Sequence, residues 1–240
     1  VPIFDGKNVC QPISFTVKQG ERIALYGKNG SGKSTFIKLL LRLYYPTEGE
    51  ILLNGININK YDYTQYIKIF APVFQDFVSY TMTLKENIIL SKEDKTEKLD
   101  EICKENGLSS LVSKLPKGYN TQIGKWLDPE GIDPSGGEEQ RIAIARACYH
   151  GGDVFVLDEP TAAIDPFTEY EIYTRFNEII TGKSAILITH RLSAVQLADK
   201  IAVFNNGMVA EYGTHDELYK KNGIYTDMFD KQACFYRENK

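Results

Sequence analysis

Apolar residues along this chain fall in short continuous runs and in helical spacings, a pattern that is typical of an α/β fold. Arg22–Tyr26 is an apolar run that leads into a glycine-rich stretch, and Lys33–Tyr44 then repeats apolar side chains with a helical period. Further apolar runs lie at Asp153–Leu157, Ala185–Thr189 and Ile201–Phe204. Runs separated by helices indicate strands that are covered on both faces, so we expect a largely parallel sheet.

The segments around these runs predict smaller elements. Ile13–Val17 alternates apolar and polar residues as a strand does, and Glu50–Leu53 followed by Asn54-Gly55 predicts a strand that enters a hairpin turn. Between residues 84 and 115 the pattern is helical and more charged, and Asp216–Tyr236 predicts one or two further helices. The expected fold is an α/β core with a small antiparallel β subdomain and an inserted α-helical subdomain.

Composition narrows the classes of partner. The 240 residues are 42% hydrophobic and 25% charged, which is ordinary for a chain that buries a core. The net charge of -4 gives no general electrostatic reason to bind nucleic acid, so we expect no nucleic-acid partner. No run reaches the roughly 18 to 20 apolar residues that span a bilayer. The cysteines are widely separated, which favours a reducing compartment over disulfides or a zinc site. They are Cys10, Cys103, Cys148 and Cys234.

The glycine-rich stretch matches the phosphate-loop pattern G-x-x-x-x-G-K-[ST]. It comprises Gly27, Lys28, Asn29, Gly30, Ser31, Gly32, Lys33, Ser34 and, just beyond the pattern, Thr35. Glycines let the backbone turn its N–H groups towards phosphate oxygens, and the helix N-terminus adds partial positive charge. Lys33 would reach the β- and γ-phosphates, and the Ser34 hydroxyl would bind Mg²⁺. The alternative, a glycine loop that only turns the chain, is disfavoured by the preceding strand and the following helix.

Two acidic residues directly follow the apolar run Asp153–Leu157. If this run is a buried strand, Asp158 and Glu159 lie at its carboxyl end, where ligands bind in open α/β sheets. Asp158 then suits Mg²⁺, and Glu159 could orient or deprotonate an attacking water. A strand that ends in Asp-Glu is by itself more often solvent-facing. The phosphate loop earlier in the chain makes the catalytic interpretation the better one.

Between these two sites, Pro134–Arg141 and the helical pattern after it resemble the signature motif of the ABC ATPase family. The family's motif opens L-S-G-G-Q, so Pro134 and Glu138 depart from it. Ser135 and the glycines Gly136-Gly137 are kept, and they can offer a hydroxyl and unobstructed N–H groups to phosphate at a helix N-terminus. For this motif on its own, an S-G-G that only caps a helix would be the better interpretation.

Further motifs follow in the family's order along nearly the whole chain. Gln75 resembles the Q-loop glutamine, Ala163-Ile164-Asp165 resembles the D-loop, and His190 resembles the switch histidine. The family's adenine-stacking aromatic residue precedes the phosphate loop, and Phe4 is the aromatic residue nearest to its position. A core phenylalanine is an equally good interpretation of Phe4.

The resemblance implies a P-loop NTPase (RecA-like) core within a single ABC ATPase domain, residues 1–240. The expected subdivision is a β-rich and RecA-like core at 1–75 and 145–240, with the helical subdomain at 76–144 and the signature motif at its end. The implied cofactors are ATP and Mg²⁺. The implied metal ligands are Ser34, Gln75 and Asp158. The implied catalytic residues are Lys33, Gln75, Glu159 and His190.

By the same resemblance, two such domains pair head to tail, each phosphate loop facing its partner's signature motif, and we expect a homodimer. Lys117–Lys125 resembles the segment by which exporter-type domains contact the membrane domain, and Trp126–Gly131 resembles peptide or bacteriocin exporters. Because the chain opens on Val1 rather than Met, we expect a fragment or processed product. In the parent protein we expect a transmembrane domain fused N-terminally, with this chain at the cytoplasmic face of the membrane.

Two other functions stay open. One is a soluble ABC ATPase of DNA repair or translation, although the chain has no room for a long coiled-coil insertion or a second such domain. The other is a binding module that does not hydrolyse ATP. Pro134 and Glu138 favour that module, while the intact Glu159 and His190 favour catalysis.

Overall fold

The computed structural model describes residues 3–4, 7–8, 13–90, 96–159 and 166–238. Its strands are β1 (Ile3–Phe4), β2 (Lys7–Asn8), β3 (Arg22–Tyr26), β4 (Leu52–Leu53), β5 (Ile56–Asn57), β6 (Phe70–Val73), β7 (Val154–Asp158), β8 (Ser184–Thr189), β9 (Lys200–Asn205) and β10 (Met208–Gly213). Its α-helices are α1 (Lys33–Leu40), α2 (Tyr63–Ile67), α3 (Leu84–Ile89), α4 (Thr96–Glu105), α5 (Ser109–Val112), α6 (Gly136–His150), α7 (Pro166–Ile179), α8 (Leu192–Val195), α9 (His215–Lys221) and α10 (Ile224–Glu238). Two 3₁₀ turns span Ile58–Lys60 and Gly118–Asn120.

The chain divides into two compact units, each built from separate stretches of sequence. The first comprises 1–70, 153–159 and 182–240, and the second comprises 71–152 and 160–181. The first unit holds β3 and β7 to β10, and the second holds α3 to α7. The helical subdomain at 76–144 stays a prediction.

The main sheet of the first unit is parallel around its centre. Its strands in this unit run in the order β10, β9, β3, β8, β7. β3 pairs in parallel with both β8 and β9, β7 pairs in parallel with β8, and β10 runs antiparallel to β9. All six residues of β8 are buried, as expected for a strand covered on both faces. The predicted parallel sheet is confirmed.

A short hairpin gives the small antiparallel sheet. β4 pairs with β5 across Asn54 and Gly55, whose φ angles of 52° and 78° are both left-handed. Asn-Gly is the sequence that most favours such a two-residue turn. The antiparallel element is therefore confirmed, although its first strand is limited to Leu52–Leu53 instead of Glu50–Leu53.

Ile13–Val17, predicted as a strand, is not one. Its side chains alternate between half-buried and exposed, as the sequence pattern requires, but its backbone carries no strand. Ring contacts hold it instead, since Phe15 packs against Phe36 and Tyr212 with centroid separations of 5.3 and 5.7 Å. The Tyr212 hydroxyl also donates to the carbonyl oxygen of Thr16 at 3.1 Å. Alternating burial is therefore satisfied here without a β ladder.

Two elements differ in extent from the prediction. α1 ends at Leu40 rather than Tyr44, because Arg42 takes a left-handed φ of 56° and the Tyr44 N–H turns back to the carbonyl oxygen of Lys38 at 3.1 Å. β10 has no counterpart among the predicted strands. It follows the turn Asn206-Gly207, whose left-handed φ angles return the chain antiparallel to β9.

The second unit is helical and has its own core. Helices α3 to α6 contribute its buried apolar side chains, which include Leu84, Ile88, Leu99, Ile102, Cys103, Leu111, Ile142 and Ala145. α3 begins with a capping box in which Thr83 and Glu86 bind each other's backbone N–H groups. This agrees with the predicted helical insertion. No helix within the described ranges combines the length and the apolar character needed to span a membrane.

Phe155, fully buried in β7, tests where the core of the first unit lies. Removal of its ring leaves a cavity, so we expect Phe155→Ala to lower the free energy of unfolding by about 3 to 5 kcal/mol. Urea denaturation followed by circular dichroism measures the change. The control is Leu52→Ala, whose side chain is exposed and whose loss should cost less than about 0.5 kcal/mol. Equal losses in the two variants would contradict this placement of the core.

Candidate active site

Three parallel strands end side by side at one edge of the main sheet. β8 lies between β3 and β7, and the registers place Tyr26 opposite Thr189 and Asp158 opposite Ile188. Because the carboxyl ends of parallel strands share an edge, the chain leaves all three strands at the same place. The next residues along the chain are Gly27, Glu159 and His190.

The phosphate loop takes its shape from its own glycines and from β9. A Cβ atom at Gly27 would lie 2.3 Å from the carbonyl oxygen of Phe204, so a larger residue cannot stand there without a shift of backbone. Gly30 and Gly32 have left-handed φ angles of 77° and 103°, which favour glycine. The Gly207 N–H, just after β9, donates to the carbonyl oxygen of Ser31 at 3.1 Å. The fold itself therefore requires glycines in this loop.

The start of α1 suits an anion. Its N-cap residue, Gly32, has no side chain with which to cap the first N–H groups of the helix. The Ser31 hydroxyl beside it is buried and makes no hydrogen bond within the described part of the chain. A buried hydroxyl without a partner is costly, and a helix N-terminus attracts negative charge. Both features fit the phosphate groups of ATP.

Lys33 is a buried cation that is tied to its own loop. Its ammonium donates to the carbonyl oxygens of Gly27 at 2.7 Å and of Lys28 at 3.1 Å. The same Nζ lies 3.8 Å from Oε1 of Glu159. Burial lowers the pKa of Lys33, and the negative charges of Glu159 and Asp158 act against this effect. The ammonium is thus held beside the loop, where phosphate charge would stabilise it further.

Asp158 and Ser34 bring two oxygen atoms together at the end of β7. The Ser34 hydroxyl donates to Oδ1 of Asp158 at 3.3 Å. Burial is the main cause that raises the pKa of Asp158, and the hydrogen bond from Ser34 acts against it. A carboxylate and a hydroxyl suit Mg²⁺, which keeps water and phosphate ligands rather than a full protein cage. No group of three or more His, Cys, Asp or Glu side chains that could hold a metal ion occurs in the described ranges.

Glu159 leaves β7 in a strained conformation and meets His190. Its φ of 42° lies in the left-handed region, which costs a residue other than glycine on the order of 1 kcal/mol. Oε1 of Glu159 lies 3.1 Å from Nδ1 of His190. The interaction with His190 lowers the pKa of Glu159 against the effect of burial, with the charge of Lys33 acting in the same direction. The carboxylate is therefore ionised at neutral pH and faces both basic side chains.

The signature residues lie in the second unit, where Ser135 is the N-cap of α6. Oε2 of Glu138 accepts hydrogen bonds from the N–H and the hydroxyl of Ser135, both at 2.8 Å, and the Glu138 N–H donates back to Ser135 Oγ at 3.4 Å. This is a capping box. Glu138, which departs from the family's glutamine, therefore stabilises the start of the helix and places a negative charge beside Ser135.

The remaining predicted site residues are not placed in this cluster by the structure. Gln75 belongs to the second unit with the signature residues, so a shared site with the phosphate loop stays a prediction. The side chain of Phe4 and the segment 163–165 lie outside the described residues. A residue that the sequence patterns do not reveal is Gln232 in α10, whose Nε2 donates to the carbonyl oxygen of His190. No motif marks such a contact, because it joins a side chain to the backbone of a residue far away in sequence.

Gly27 offers a test of the phosphate loop. A methyl group at this position collides with the backbone of β9, so we expect Gly27→Ala to distort the loop and to weaken nucleotide binding by about tenfold or more. Calorimetric titration with ATP measures the affinity. Asn29→Ala is the control, because the exposed side chain of Asn29 can be removed while its backbone N–H remains. An unchanged affinity of Gly27→Ala would contradict the assignment of the loop.

Comparison with known proteins agrees with this geometry. A family model described as ABC transporter matches residues 10–162. The chain is 43% identical over 230 residues to the subtilin transport ATP-binding protein SpaT of Bacillus subtilis. The aligned region covers 95% of this chain and 37% of that protein. It is 39% identical over 229 residues to a probable multidrug resistance ABC transporter ATP-binding/permease protein of Bacillus subtilis (strain 168), covering 95% of this chain and 38% of the relative.

A solved structure of a bacterial Atm1-family ABC exporter with ATP bound matches with a TM-score of 0.87 and 33% identity, over 97% of this chain and 40% of that chain. The chain spans about two fifths of the length of these relatives. The family model covers more than half of the chain, and the matched range includes the phosphate loop, Asp158 and Glu159. The chain therefore belongs to the ABC transporter family, as an ATP-binding ATPase domain.

Proposed function

We propose that this chain hydrolyses ATP to ADP and phosphate and thereby powers export through an associated membrane domain. The observation that best supports the proposal is a cluster of opposite charges and oxygen ligands beside a loop shaped for phosphate. The cluster consists of Lys33, Ser34, Asp158, Glu159 and His190. Phosphoryl transfer to water depends mainly on positioning and on stabilisation of charge, which such a cluster provides.

In this mechanism the phosphate loop binds and orients the nucleotide. Backbone N–H groups at the start of α1 and the ammonium of Lys33 stabilise the phosphate charge. Ser34 and Asp158 would hold Mg²⁺, and the family resemblance implies Gln75 as a further ligand; the ion would neutralise charge on the phosphates. The hydrogen bonds from Lys33 to its own loop keep its ammonium in place before the nucleotide arrives. Less reorganisation is then needed on binding.

Glu159 and His190 act on the reacting groups. The ionised Glu159 accepts a hydrogen bond from the attacking water and so fixes its direction, or takes its proton as the new bond to phosphorus forms. His190 contacts the γ-phosphate and orients Glu159 through its Nδ1. The strained backbone at Glu159 supports this role, because strain of this kind is retained where a side chain must be held in one place.

The complete site needs a second chain. Two copies pair head to tail, so that the phosphate loop of each faces Ser135 and Gly136-Gly137 of the partner subunit. What supports this arrangement is that Ser135 stands at the N-terminus of a helix of 15 residues, where a hydroxyl and backbone N–H groups favour an anion. Loss of the γ-phosphate removes contacts across such an interface and lets the dimer open.

The membrane connection rests on the relatives. One of them is named for subtilin transport and another for multidrug resistance, and this chain spans about two fifths of their length. We place a transmembrane domain N-terminal to this chain in the parent protein, and the chain at the cytoplasmic face of the membrane. The helical subdomain at 76–144 transmits the motion, and a peptide is the cargo that the subtilin relative supports. Relatives named as transporters do not favour a soluble ABC ATPase of DNA repair or translation.

Glu159→Gln is the decisive substitution for the catalytic assignment. It keeps the shape of the side chain and removes its charge, so ATP binding should persist while turnover falls by about 100-fold or more. A coupled assay of phosphate release measures turnover, and calorimetry measures affinity. The charge-matched control is Glu178→Gln on the exposed side of α7. Turnover of Glu159→Gln close to that of the unmodified chain would remove Glu159 from the mechanism.

Glu138 tests the head-to-tail dimer. Its charge lies beside the hydroxyl that would meet a phosphate, so Glu138→Gln should strengthen ATP-dependent dimerisation by about fivefold, the effect of a partly screened unit charge worth roughly 1 kcal/mol. Glutamine can still complete the capping box, so the helix is retained. Sedimentation in the Glu159→Gln background measures the dimer constant, and Glu178→Gln again is the control. A weaker dimer in Glu138→Gln would contradict the proposed position of the signature motif.

A further inference from the structure

We infer that Gln232 in α10 is a positioning residue for His190, so that this distant helix takes part in ATP turnover. The inference rests on the proposed function, in which His190 orients Glu159. It adds a residue that no motif of the chain contains. Three features support it: the anchoring of α10, the contact that Gln232 makes with the His190 backbone, and the short distance between the imidazole and Glu159.

The first turn of α10 is anchored to the main sheet. The carboxylate of Glu211 in β10 accepts the N–H groups of Ile224 at 3.2 Å and of Tyr225 at 2.9 Å, which satisfies two donors at the helix N-terminus. The ring of Tyr225 is fully buried and meets Tyr26 of β3 edge-on, with a centroid separation of 5.7 Å. Thr226 donates to the carbonyl oxygen of Leu218 in α9 at 3.2 Å. This end of the helix is therefore a fixed platform.

Two turns further along α10, Gln232 reaches the active-site edge. Its Nε2 donates to the carbonyl oxygen of His190, the first residue after β8. The next peptide is fixed from the other side, since the Arg191 N–H donates to the Thr189 hydroxyl at 2.9 Å. Thr189 and Gln232 together hold the turn from which the His190 side chain projects.

The carbonyl oxygen of the Gln232 side-chain amide indicates that this residue does more than fill space. Its Oε1 is buried and makes no hydrogen bond within the described part of the chain. A buried acceptor without a partner is destabilising, so an apolar side chain of the same length would suit simple packing better. The gain that offsets this cost is the bond to the His190 carbonyl oxygen.

The backbone of His190 controls a short contact. Nδ1 of His190 lies 3.1 Å from Oε1 of Glu159, and that oxygen lies 3.8 Å from Nζ of Lys33. This short ionic contact depends on where the turn places the imidazole, so a small rotation of the turn moves Nδ1 away from Glu159. Loss of Gln232 should therefore reduce the rate of the chemical step while leaving the phosphate loop intact.

The kinetic test compares two neighbouring positions of α10. Gln232→Met keeps the length of the side chain and removes its donor, and Lys231→Met makes the same replacement at an exposed residue whose only described ion pair is with Asp227. We expect kcat of Gln232→Met to fall about tenfold, with the KM for ATP changed less than about twofold, because one hydrogen bond of modest energy is lost. Lys231→Met should keep both constants.

A double-mutant cycle separates positioning from a general loss of structure. If Gln232 acts through the His190 imidazole, Gln232→Met should have no further effect on turnover in the His190→Ala background. Equal effects in both backgrounds would overturn the inference, as would kcat of Gln232→Met equal to that of the unmodified chain. In either case Glu159→Gln still reports on the proposed function by itself.

Nuclear magnetic resonance tests the inference without any need for ATP hydrolysis. The chain has three histidines, so ¹⁵N-labelled histidine gives few imidazole signals, and His190→Ala assigns the one that matters. We expect Gln232→Met to shift the His190 imidazole signals and to leave those of His150 unchanged, while Lys231→Met leaves all of them unchanged. An unshifted His190 signal in Gln232→Met would overturn the inference even if the isolated chain turns over no ATP.

Discussion

The proposed ATP site depends on the electrostatic interaction of the buried Lys33 ammonium with the carboxylates of Glu159 and Asp158. Without those carboxylates and the loop carbonyl oxygens, the cost of burying a charge would expel the ammonium into water or neutralise it. With them, the cation stays where the phosphates of ATP are proposed to bind. The same pairing requires Glu159 to turn back from the end of β7, which it does through a left-handed φ. The shape of the phosphate loop, the end of β7 and the strained backbone of Glu159 therefore depend on one another.

The sequence could predict those parts of the site that depend on local pattern. Apolar runs that end at Asp158 and Thr189 predict strands, and parallel strands share an edge, so the sequence predicts Glu159 and His190 at one edge of the sheet. Their contact also requires that β7 and β8 are neighbours, which the structure shows. The phosphate loop was predictable because glycines and Lys33 occur at a spacing with a physical reason. The family resemblance is confirmed, whereas the roles of individual residues remain predictions.

The parts that the sequence could not predict depend on contacts between distant segments. Ile13–Val17 has the alternation of a strand, but ring contacts rather than a ladder satisfy it. Gln232 donates to the backbone carbonyl oxygen of His190. Every residue type has this oxygen, so the sequence at position 190 gives no sign of the contact. The left-handed φ of Glu159 is unexpected for its residue type and follows from its surroundings. Such features require three-dimensional knowledge of which backbone lies next to which side chain.

The close approach of Gly27 to the carbonyl oxygen of Phe204 has a consequence for the thermodynamics of ligand capture. Because β9 shapes the phosphate loop, the loop backbone loses its conformational entropy when the chain folds. Ordering the loop therefore adds no further cost to the free energy of binding. In the proposed function, the nucleotide would therefore bind a loop that is already ordered. Heat and denaturants that loosen β9 should therefore weaken ATP binding before the whole chain unfolds.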